Sequence, residues 1–548
     1  MTNIYRQKSC LQSVGGRGWL QGVDLISETT GRPLARHFGG VQYAQAPTGD
    51  LRFRRTRALP PDFSYGSEQT PYAYRSDCHV CPHPDWPGVL APADKTRWSE
   101  DCLRANIWVP SGTPPSGGWP VFFFIHGGFL QFGNPNKAAG IVAQMFEETS
   151  LKAIVVMPGY RLNLLGFLTS HELHAEAQVD SESAGNMGFW DQRTALEWTA
   201  SIVPFLGGNP DNITVGGYSA GAHSVFHQLS HDLYLPRSRS LIKRAVMWSN
   251  GTGIQPKNIH EHQIAFDELL SKLQISKSTS SSEKLKILRQ TPATDLIDAL
   301  EQMSNSQFRG FSDNDFVIQD LIASINTGDY GRRMKEREIK LLIGECQDEH
   351  NLYRAWKTPK NSWKAVYERL LEDYPAPTVD RTMKLYAPNK NLPNDCTDWT
   401  VLFGKIYADL QVHCLERGFI KNLSDAGIVV GRDILRYRIE LRVKCADSMW
   451  PVEWGVTHAT DDGIWWWGNG WADGLTPDEK RAIKPLYDAF AQFVAGETME
   501  WAKTGPRYAR RLTTQGTMDF WEDTRWEEAQ HVWEAVNPPQ TGSVKAKL

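Results

Sequence analysis

A serine between two glycines is the feature of this 548-residue chain that points most directly to chemistry. Gly217-Tyr218-Ser219-Ala220-Gly221 follows a short β-branched stretch at residues 213–215 and precedes a stretch of helical character. A strand that turns sharply into a helix lifts a serine hydroxyl clear of the backbone, and flanking glycines let the two elements approach closely. Ser219 is therefore a candidate nucleophile, because a base can reach a hydroxyl held in this way.

A second segment could supply the hydrogen-bond donors that such a nucleophile needs. Residues 121–125 form a continuous apolar run typical of a buried strand, and His126-Gly127-Gly128-Phe129 follows it. Taken alone, this loop is compatible with an ordinary tight turn. Together with the serine turn it fits the α/β-hydrolase plan, in which N–H groups of this loop and of the residue after the nucleophile bind an oxyanion. The predicted donors are the N–H groups of Gly128, Phe129 and Ala220.

Further blocks along the chain occur in an order that one family shares. They are Phe38-Gly39-Gly40-Val41-Gln42-Tyr43-Ala44, Leu51-Arg52-Phe53, Glu100-Asp101-Cys102-Leu103-Arg104-Ala105-Asn106-Ile107, Gly159-Tyr160-Arg161-Leu162, Leu165-Gly166-Phe167, Gly185-Asn186-Met187-Gly188 and Asp191-Gln192-Arg193. With the serine turn, they make the chain resemble the type-B carboxylesterases, the cholinesterase-like branch of the α/β-hydrolases. The residues within these motifs are similar to those of fungal members. The resemblance implies an α/β fold: a central, mostly parallel, twisted β-sheet flanked by helices, with helical cap insertions.

The acid of the site is expected after another strand. Residues 339–344 are predicted to form a buried strand, and the loop behind it carries Glu345, Asp348 and Glu349. The family places its acid as the second member of an Asp-Glu pair, which selects Glu349. A solvated acidic loop is the alternative interpretation. His350 stands where the family usually has a glycine.

The base is expected near the C-terminus. Residues 450–458, Trp-Pro-Val-Glu-Trp-Gly-Val-Thr-His, resemble the stretch that leads to the family's catalytic histidine and single out His458 among 15 histidines. A structural role is the alternative for any one histidine. The order Ser219, Glu349, His458 is the order that α/β-hydrolases use. The resemblance therefore implies a serine-dependent carboxylic ester hydrolase that works through an acyl-enzyme and needs no metal or other cofactor.

The departures from the family suggest the substrate. Phe129 replaces a glycine of the oxyanion loop, and Tyr218 replaces the glutamate that precedes the serine in cholinesterases. Trp86 lies roughly where cholinesterases place a cation-binding tryptophan, although it is equally compatible with loop packing. Tryptophans cluster around His458, and we predict that Trp450 and Trp465 line the site. These residues together predict neutral, apolar esters, including bulky or aromatic ones, rather than choline esters.

The organisation of the chain is expected to be simple. No linker or repeat divides it, so residues 1–548 are predicted to form a single domain with a loop excursion at 60–100 and a helical cap insertion at 255–335. An amphipathic helix is predicted at 476–500. With 59 basic and 63 acidic residues the net charge is −4, which gives no reason to expect nucleic acid. No stretch is long and apolar enough for a membrane span, and no apolar signal core is seen. We therefore expect a cytoplasmic protein acting on a small-molecule ester, with a homodimer left open.

Cysteines and charges carry two further expectations. The resemblance implies that Cys102 is bridged to Cys81 or to Cys78, although a reducing compartment disfavours such a bond. A zinc knuckle at residues 78–83 lacks a second cysteine pair nearby and is not expected. The resemblance also implies two ion pairs, Arg52–Glu100 and Arg161–Asp191.

Two other classes of function compete with ester hydrolysis. A relative could use the same pocket for acyl transfer, lactone formation or cyclisation in secondary metabolism. A non-catalytic, cholinesterase-like interaction protein is the third class, and an intact set of Ser219, Glu349 and His458 argues against it. The sequence does not separate the first two.

Overall fold

The computed structural model describes residues 5–86, 90, 92–251, 253–499, 501 and 503–539. Its strands form a 13-stranded sheet. They are β1 (Tyr5–Ser13), β2 (Trp19–Ser27), β3 (Pro33–Gln42), β4 (Tyr72–Ala73), β5 (Arg104–Pro110), β6 (Trp119–Ile125), β7 (Ile154–Pro158), β8 (Gly208–Tyr218), β9 (Arg244–Trp248), β10 (Lys340–Cys346), β11 (Ile434–Ile439), β12 (Tyr508–Leu512) and β13 (Met518–Glu522).

The centre of the sheet is parallel and its outer parts are antiparallel. The strand order is β1-β2-β3-β5-β7-β6-β8-β9-β10-β11-β12-β13, with β4 beside β2. Every pair from β7–β6 to β11–β12 is parallel, whereas β1–β2, β2–β3, β3–β5, β5–β7 and β12–β13 are antiparallel. This architecture agrees with the predicted α/β fold.

Burial explains why the central strands could be recognised in the sequence. All seven residues of β6 are buried, as expected for a parallel strand covered on both faces. The predicted strands at 121–125, 213–215 and 339–344 correspond to β6, β8 and β10. The register places Ile125 beside Gly217, and Trp248 beside both Tyr218 and Gly344. The carboxyl ends of four neighbouring strands therefore meet at one edge, where open α/β sheets bind ligands.

Helices cover the sheet. They are α1 (Ala139–Glu148), α2 (Asn163–Phe167), α3 (His171–Ala177), α4 (Met187–Ile202), α5 (Ala220–Tyr234), α6 (Ile259–Lys272), α7 (Ser281–Gln290), α8 (Ala293–Glu301), α9 (Leu321–Asn326), α10 (Asp329–Glu336), α11 (His350–Ala355), α12 (Trp363–Asp373), α13 (Ala376–Tyr386), α14 (Trp399–Ala408), α15 (Cys414–Asp425), α16 (Asp462–Trp465), α17 (Pro477–Ala495) and α18 (Trp526–Val536). A π-helical turn, Asp409–His413, joins α14 to α15.

A run of helices separates β9 from β10. Helices α6 to α10 lie between residues 259 and 336. The excursion at 60–100 contains only β4 and the short 3-10 helix Lys95–Arg97 in its described part; residues 87–89 and 91 lie outside the described residues. The predicted C-terminal helix is α17, which begins after Thr476 with a capping box formed with Glu479. It ends at Ala495, short of the predicted limit at residue 500, which is itself outside the described residues.

Covalent and ionic contacts fix the loops near the carboxyl edge of the sheet. A disulfide joins Cys81 to Cys102, whereas Cys78 is a buried free thiol. This bond decides between the two pairings that the sequence left open.

Both expected ion pairs are present. Arg52 bonds Glu100 through two contacts of 2.6 and 2.5 Å. The buried pair Arg161–Asp191 has contacts of 2.9 and 2.8 Å. Within the described residues, no helix combines the length and the apolarity needed to cross a bilayer.

Candidate active site

The turn between β8 and α5 is sharply bent at Ser219. Its backbone has φ 55° and ψ −125°, and residues other than glycine rarely adopt such a positive φ. Two glycines make the bend sterically feasible. A Cβ on Gly217 would lie 2.3 Å from the backbone of Gly221, and a Cβ on Gly221 would lie 2.0 Å from the carbonyl oxygen of Ile125. The Ser219 N–H donates to the carbonyl of Trp248 at 2.9 Å, which anchors the turn to β9.

Three predicted site residues meet at this turn. The Nε2 atom of His458 lies 2.7 Å from the Ser219 hydroxyl, and its Nδ1 atom lies 2.5 Å from Oε2 of Glu349. All three side chains are buried. The residues are 130 and 109 positions apart along the chain, and the fold brings them into one chain of hydrogen bonds.

Local contacts hold the acid in place. Glu349 begins α11 just beyond β10, and its Oε1 atom accepts a hydrogen bond from the Cys346 N–H at 2.8 Å. The segment before His458 is fixed by the other carboxylate of the pair: Oδ2 of Asp348 accepts from the Val456 N–H at 2.9 Å. The two carboxylates therefore have different roles. Glu349 contacts the imidazole of His458, and Asp348 contacts the backbone just before His458.

Burial shifts the pKa values of both His458 and Glu349. It lowers the pKa of His458 to about 4, although Asp461 and Asp462 act in the opposite direction. It also raises the pKa of Glu349, against the opposing effects of His413 and of the Cys346 N–H, whereas a positive charge forming on His458, 2.5 Å away, favours the carboxylate form. The imidazole is therefore neutral at pH 7, which is the form that can accept a proton from Ser219.

The loop that carries two of the predicted oxyanion donors lies beside the serine turn. Gly128 and Phe129 follow β6 and have φ values of 113° and 57°. A Cβ on Gly127 would lie 2.7 Å from the carbonyl oxygen of Tyr218, so this loop packs directly on the serine turn. Ala220 is the first residue of α5, where helix N–H groups have no intrahelical acceptor. The predicted oxyanion donors thus lie on two elements that are packed together.

Asp461 and Ser249 belong to the same buried region, and the sequence analysis did not assign them a role. The Ser249 hydroxyl donates to Oδ2 of Asp461 at 2.8 Å. Burial and the nearby Glu349 raise the pKa of Asp461 to about 7. Ser249 follows β9 at the carboxyl edge of the sheet. Its position directly after a buried strand is the sequence feature that could have identified it as a residue near the site.

The four predicted substrate contacts fall elsewhere than expected. Trp465 is fully buried and stacks on Trp248 with ring centroids 4.8 Å apart, so it is a core residue. Trp450 is buried and stacks on Trp454. The prediction that these two tryptophans line the site is wrong, because consecutive aromatic residues here fill the space beneath the sheet edge instead of facing the serine.

Tyr218 and Trp86 line a different cavity. It measures about 440 Å³ and lies on the other side of the oxyanion loop, with Gly128 and Asp462 in its walls. The Tyr218 ring also stacks on His458, with ring centroids 5.2 Å apart. Trp86 packs edge-on against Phe129, a residue that lines the serine cavity. These two residues are therefore close to the site without facing the Ser219 hydroxyl.

The cavity that opens on Ser219 is narrow and has both apolar and polar walls. It holds about 60 Å³, which is room for a few water-sized atoms. Its aromatic residues are Phe129, Tyr353 and Tyr374, and the predicted tryptophans are not among them. Lys257 and Arg309 belong to its polar part.

A mostly parallel sheet with a buried serine, histidine and glutamate at its carboxyl edge defines an α/β-hydrolase. The chain belongs to the carboxylesterase family, whose model matches residues 12–532. It is thus an enzyme of the carboxylic ester hydrolase class.

Individual relatives agree with this assignment. The chain is 43% identical to a carboxylic ester hydrolase of Gibberella moniliformis over 545 residues, covering 99% of both chains. It is 36% identical to an uncharacterized esterase/lipase of Schizosaccharomyces pombe, covering 96% of both. Among solved structures, EstA of Aspergillus niger has the same fold with a TM-score of 0.74, at 22% identity over 97% of this chain and 99% of that one.

Proposed function

We propose that the chain hydrolyses carboxylic esters through an acyl-enzyme formed on Ser219. The observation that carries this proposal is the hydrogen-bonded series from Ser219 through His458 to Glu349, with contacts of 2.7 and 2.5 Å. A neutral imidazole beside a buried hydroxyl can act as its general base.

The steps follow from these contacts. His458 takes the Ser219 proton as the hydroxyl oxygen attacks the acyl carbon, and Glu349 orients the imidazole and stabilises the imidazolium. His458 then gives the proton to the departing alkoxide, which leaves as the alcohol. A water molecule, activated by the same imidazole, cleaves the acyl-enzyme, so that one ester and one water yield one acid and one alcohol.

Negative charge develops on the former carbonyl oxygen during both halves of the reaction. The N–H groups of Gly128, Phe129 and Ala220 are the proposed donors to this oxygen. Loss of one such donor typically costs about 10²–10³ in rate. Arg309 supports the loop, because its guanidinium donates a hydrogen bond to the carbonyl oxygen of Phe129.

The small volume of the serine cavity, about 60 Å³, gives little support to the predicted preference for bulky esters. Apolar and charged side chains both line this space. Acyl transfer, lactone formation and cyclisation would start from the same acyl-enzyme and differ only in the final acceptor. Hydrolysis is the proposal that the family relatives favour.

Labelling of the nucleophile tests the proposed function. A fluorophosphonate probe should label the wild-type protein, and Ser219→Ala should lose both labelling and hydrolysis of 4-nitrophenyl esters. Ser230→Ala is the matched control, because Ser230 lies on the same helix and its hydroxyl bonds the Phe226 carbonyl and the Tyr330 hydroxyl, neither of which lines the serine cavity. Labelling that persists in Ser219→Ala would reject Ser219 as the nucleophile.

The single domain, a homodimer and a cytoplasmic location remain proposals. A single cooperative unfolding transition would support the first, and light scattering coupled to size-exclusion chromatography measures the second. Fractionation of the native host, followed by detection of the protein, measures the third.

A further inference from the structure

The serine cavity contains a buried cation that has no ion-pair partner. Lys257 lines the cavity and is only 8% exposed. Its Nζ atom donates to two backbone carbonyls, those of Leu371 at 2.7 Å and Glu372 at 2.8 Å. Within the described residues no carboxylate lies within 4 Å of this ammonium group. Asp373, Glu261 and Glu372 favour the charged form of Lys257 from a distance, against the burial that lowers its pKa, but none of them forms a direct ion pair with it.

Both oxygen atoms of the neighbouring carboxylate already accept hydrogen bonds from other side chains. Asp373 also lines the cavity, but its Oδ1 atom accepts from Arg309 at 2.7 Å, and its Oδ2 atom accepts from Arg369 at 2.6 Å and from the Tyr407 hydroxyl at 3.1 Å. Two guanidinium groups thus share one carboxylate, although Arg369 does not line the cavity. Within the wall the charges of Arg309 and Asp373 balance, and Lys257 makes the net charge positive.

Lys257 and Arg309 are held in a fixed relation. The backbone of Lys257 forms a parallel bridge with Phe311, two residues beyond Arg309, and the Ser312 N–H donates to the carbonyl of Lys257 at 3.2 Å. Arg309 in turn donates to Oε1 of Gln307 and to the Tyr407 hydroxyl. The cationic wall is therefore a built part of the cavity and not a mobile side chain at its rim.

Amide groups complete the polar side of the cavity. Asn250 and Gln411 line it and are bonded to each other at 3.1 Å, and His223 faces it from the first turn of α5. Burial lowers the pKa of His223 to about 4, with Arg309 acting in the same direction, so this histidine is neutral. The fixed charge of the lining is consequently positive.

We propose that this cationic wall is a subsite for an anionic group, such as a carboxylate, carried by the ester substrate. The proposal rests on the proposed function, because the subsite is defined by its position beside Ser219. A carboxylate would give Lys257 a direct ion-pair partner and would be held by charge-assisted hydrogen bonds. The preferred substrates are then half-esters of dicarboxylic acids, or esters of alcohols that carry a carboxylate, and not the neutral apolar esters expected from the sequence.

Two matched pairs of esters distinguish the position of the anionic group. The first pair is the 4-nitrophenyl half-ester of glutaric acid and 4-nitrophenyl pentanoate, which differ by a terminal carboxylate on the acyl chain. The second pair is 4-acetoxybenzoate and 4-methylphenyl acetate, which differ by a carboxylate on the alcohol. Each selectivity is the ratio of kcat/KM within a pair, and the change of that ratio between variants cancels the intrinsic reactivity of the esters.

Lys257→Met removes the charge while keeping an unbranched side chain. We expect the selectivity for one of the two anionic esters to fall about 10- to 100-fold, because a hydrogen bond to a charged group contributes about that much. Lys257→Arg should restore most of it. Lys357→Met is the control. Lys357 has Asp373 among the charges around it but does not line the cavity. The selectivity of the Lys357→Met variant should stay within about twofold of the wild-type selectivity.

A wild-type measurement guards against variants that do not fold. Glutarate should inhibit hydrolysis of 4-nitrophenyl acetate competitively and at lower concentration than glutaramide, its uncharged diamide, does. Equal selectivities in wild type and Lys257→Met, or inhibition by glutaramide as strong as by glutarate, would overturn the subsite while leaving Ser219 chemistry intact. Failure of the wild type to hydrolyse any of the four esters would instead count against the proposed function.

Discussion

Oε2 of Glu349 contacts Nδ1 of His458 at 2.5 Å, whereas the neighbouring Asp348 bonds only backbone groups near the histidine. The two carboxylates of one Asp-Glu pair thus have separable roles. The family resemblance selected Glu349 as the acid, but the contact of Asp348 with the Val456 backbone had no signal in the sequence. The difference between the two roles leads to the first prediction.

Glu349→Gln should keep the fold and lose most of the activity. The amide fills the same space but cannot stabilise an imidazolium, so kcat/KM should fall by about 10³–10⁴. Asp348→Asn keeps an acceptor for the Val456 N–H and should cost less than about tenfold. Thermal unfolding curves verify that both variants are folded. The opposite ranking of the two variants would transfer the acid role to Asp348.

The disulfide gives a prediction about stability. Cys81 and Cys102 are 21 positions apart, and a bridge that closes a loop of this length stabilises the folded state by about 3 kcal/mol in the chain-entropy model. Cys102→Ser should lower the free energy of unfolding by about this amount, measured with urea under non-reducing conditions. Cys10→Ser, which alters a free cysteine, is the control.

The same measurement bears on the location of the protein. A reducing compartment opposes this bond, so the cytoplasmic location and the disulfide favour different environments. If reduction of the wild type leaves its free energy of unfolding unchanged, the disulfide contributes nothing to stability. The protein could then be equally stable in the cytoplasm.

A buried histidine gives a prediction about pH. His37 packs against Trp108 with ring centroids 4.7 Å apart, and burial lowers its pKa to about 4. In the unfolded chain the pKa is near its ordinary value of 6.5, so the unfolded state binds the proton first as the pH falls. The associated stability is present above pH 6.5 and is lost progressively towards pH 4.

His37→Phe removes this dependence. The difference between the unfolding free energies at pH 7 and pH 5 should shrink by about 2 kcal/mol relative to the wild type. His531→Phe, which changes an exposed histidine, should leave that difference as it is. An unaltered pH dependence in His37→Phe would mean that other buried groups account for the acid sensitivity.

The elements that position the nucleophile could be predicted because their signals are local. The buried run of β6 and the glycines around Ser219 depend on neighbours in the sequence and on steric limits that one Cβ would violate. The acid and base needed the additional order of motifs, because Glu349 and His458 meet only in the folded chain.

The substrate side of the site could not be predicted for the same reason. A run of tryptophans does not reveal which ring faces a cavity, and the structure places Trp465 on Trp248 in the core. Lys257 and Arg309 are 52 positions apart, and the bridge between Lys257 and Phe311 brings their loops together. Long-range packing of inserted helices leaves no periodic signal from which such a pair could be inferred.

Charge discrimination by the serine cavity gives the last prediction. Tyr218 takes the place of an anionic residue beside the nucleophile, Asp462 pairs with Lys137 at 3.2 Å, and Lys257 faces the cavity as a cation. A quaternary ammonium group near Ser219 would therefore meet repulsion without a compensating carboxylate. Butyrylcholine should have a kcat/KM about tenfold lower than 3,3-dimethylbutyl butyrate, its uncharged isostere. The ratio should approach one as ionic strength rises, because salt screens the repulsion where solvent enters the cavity. Faster hydrolysis of butyrylcholine would show that an anionic group near the serine, with Asp461 the first to examine, outweighs the cationic wall.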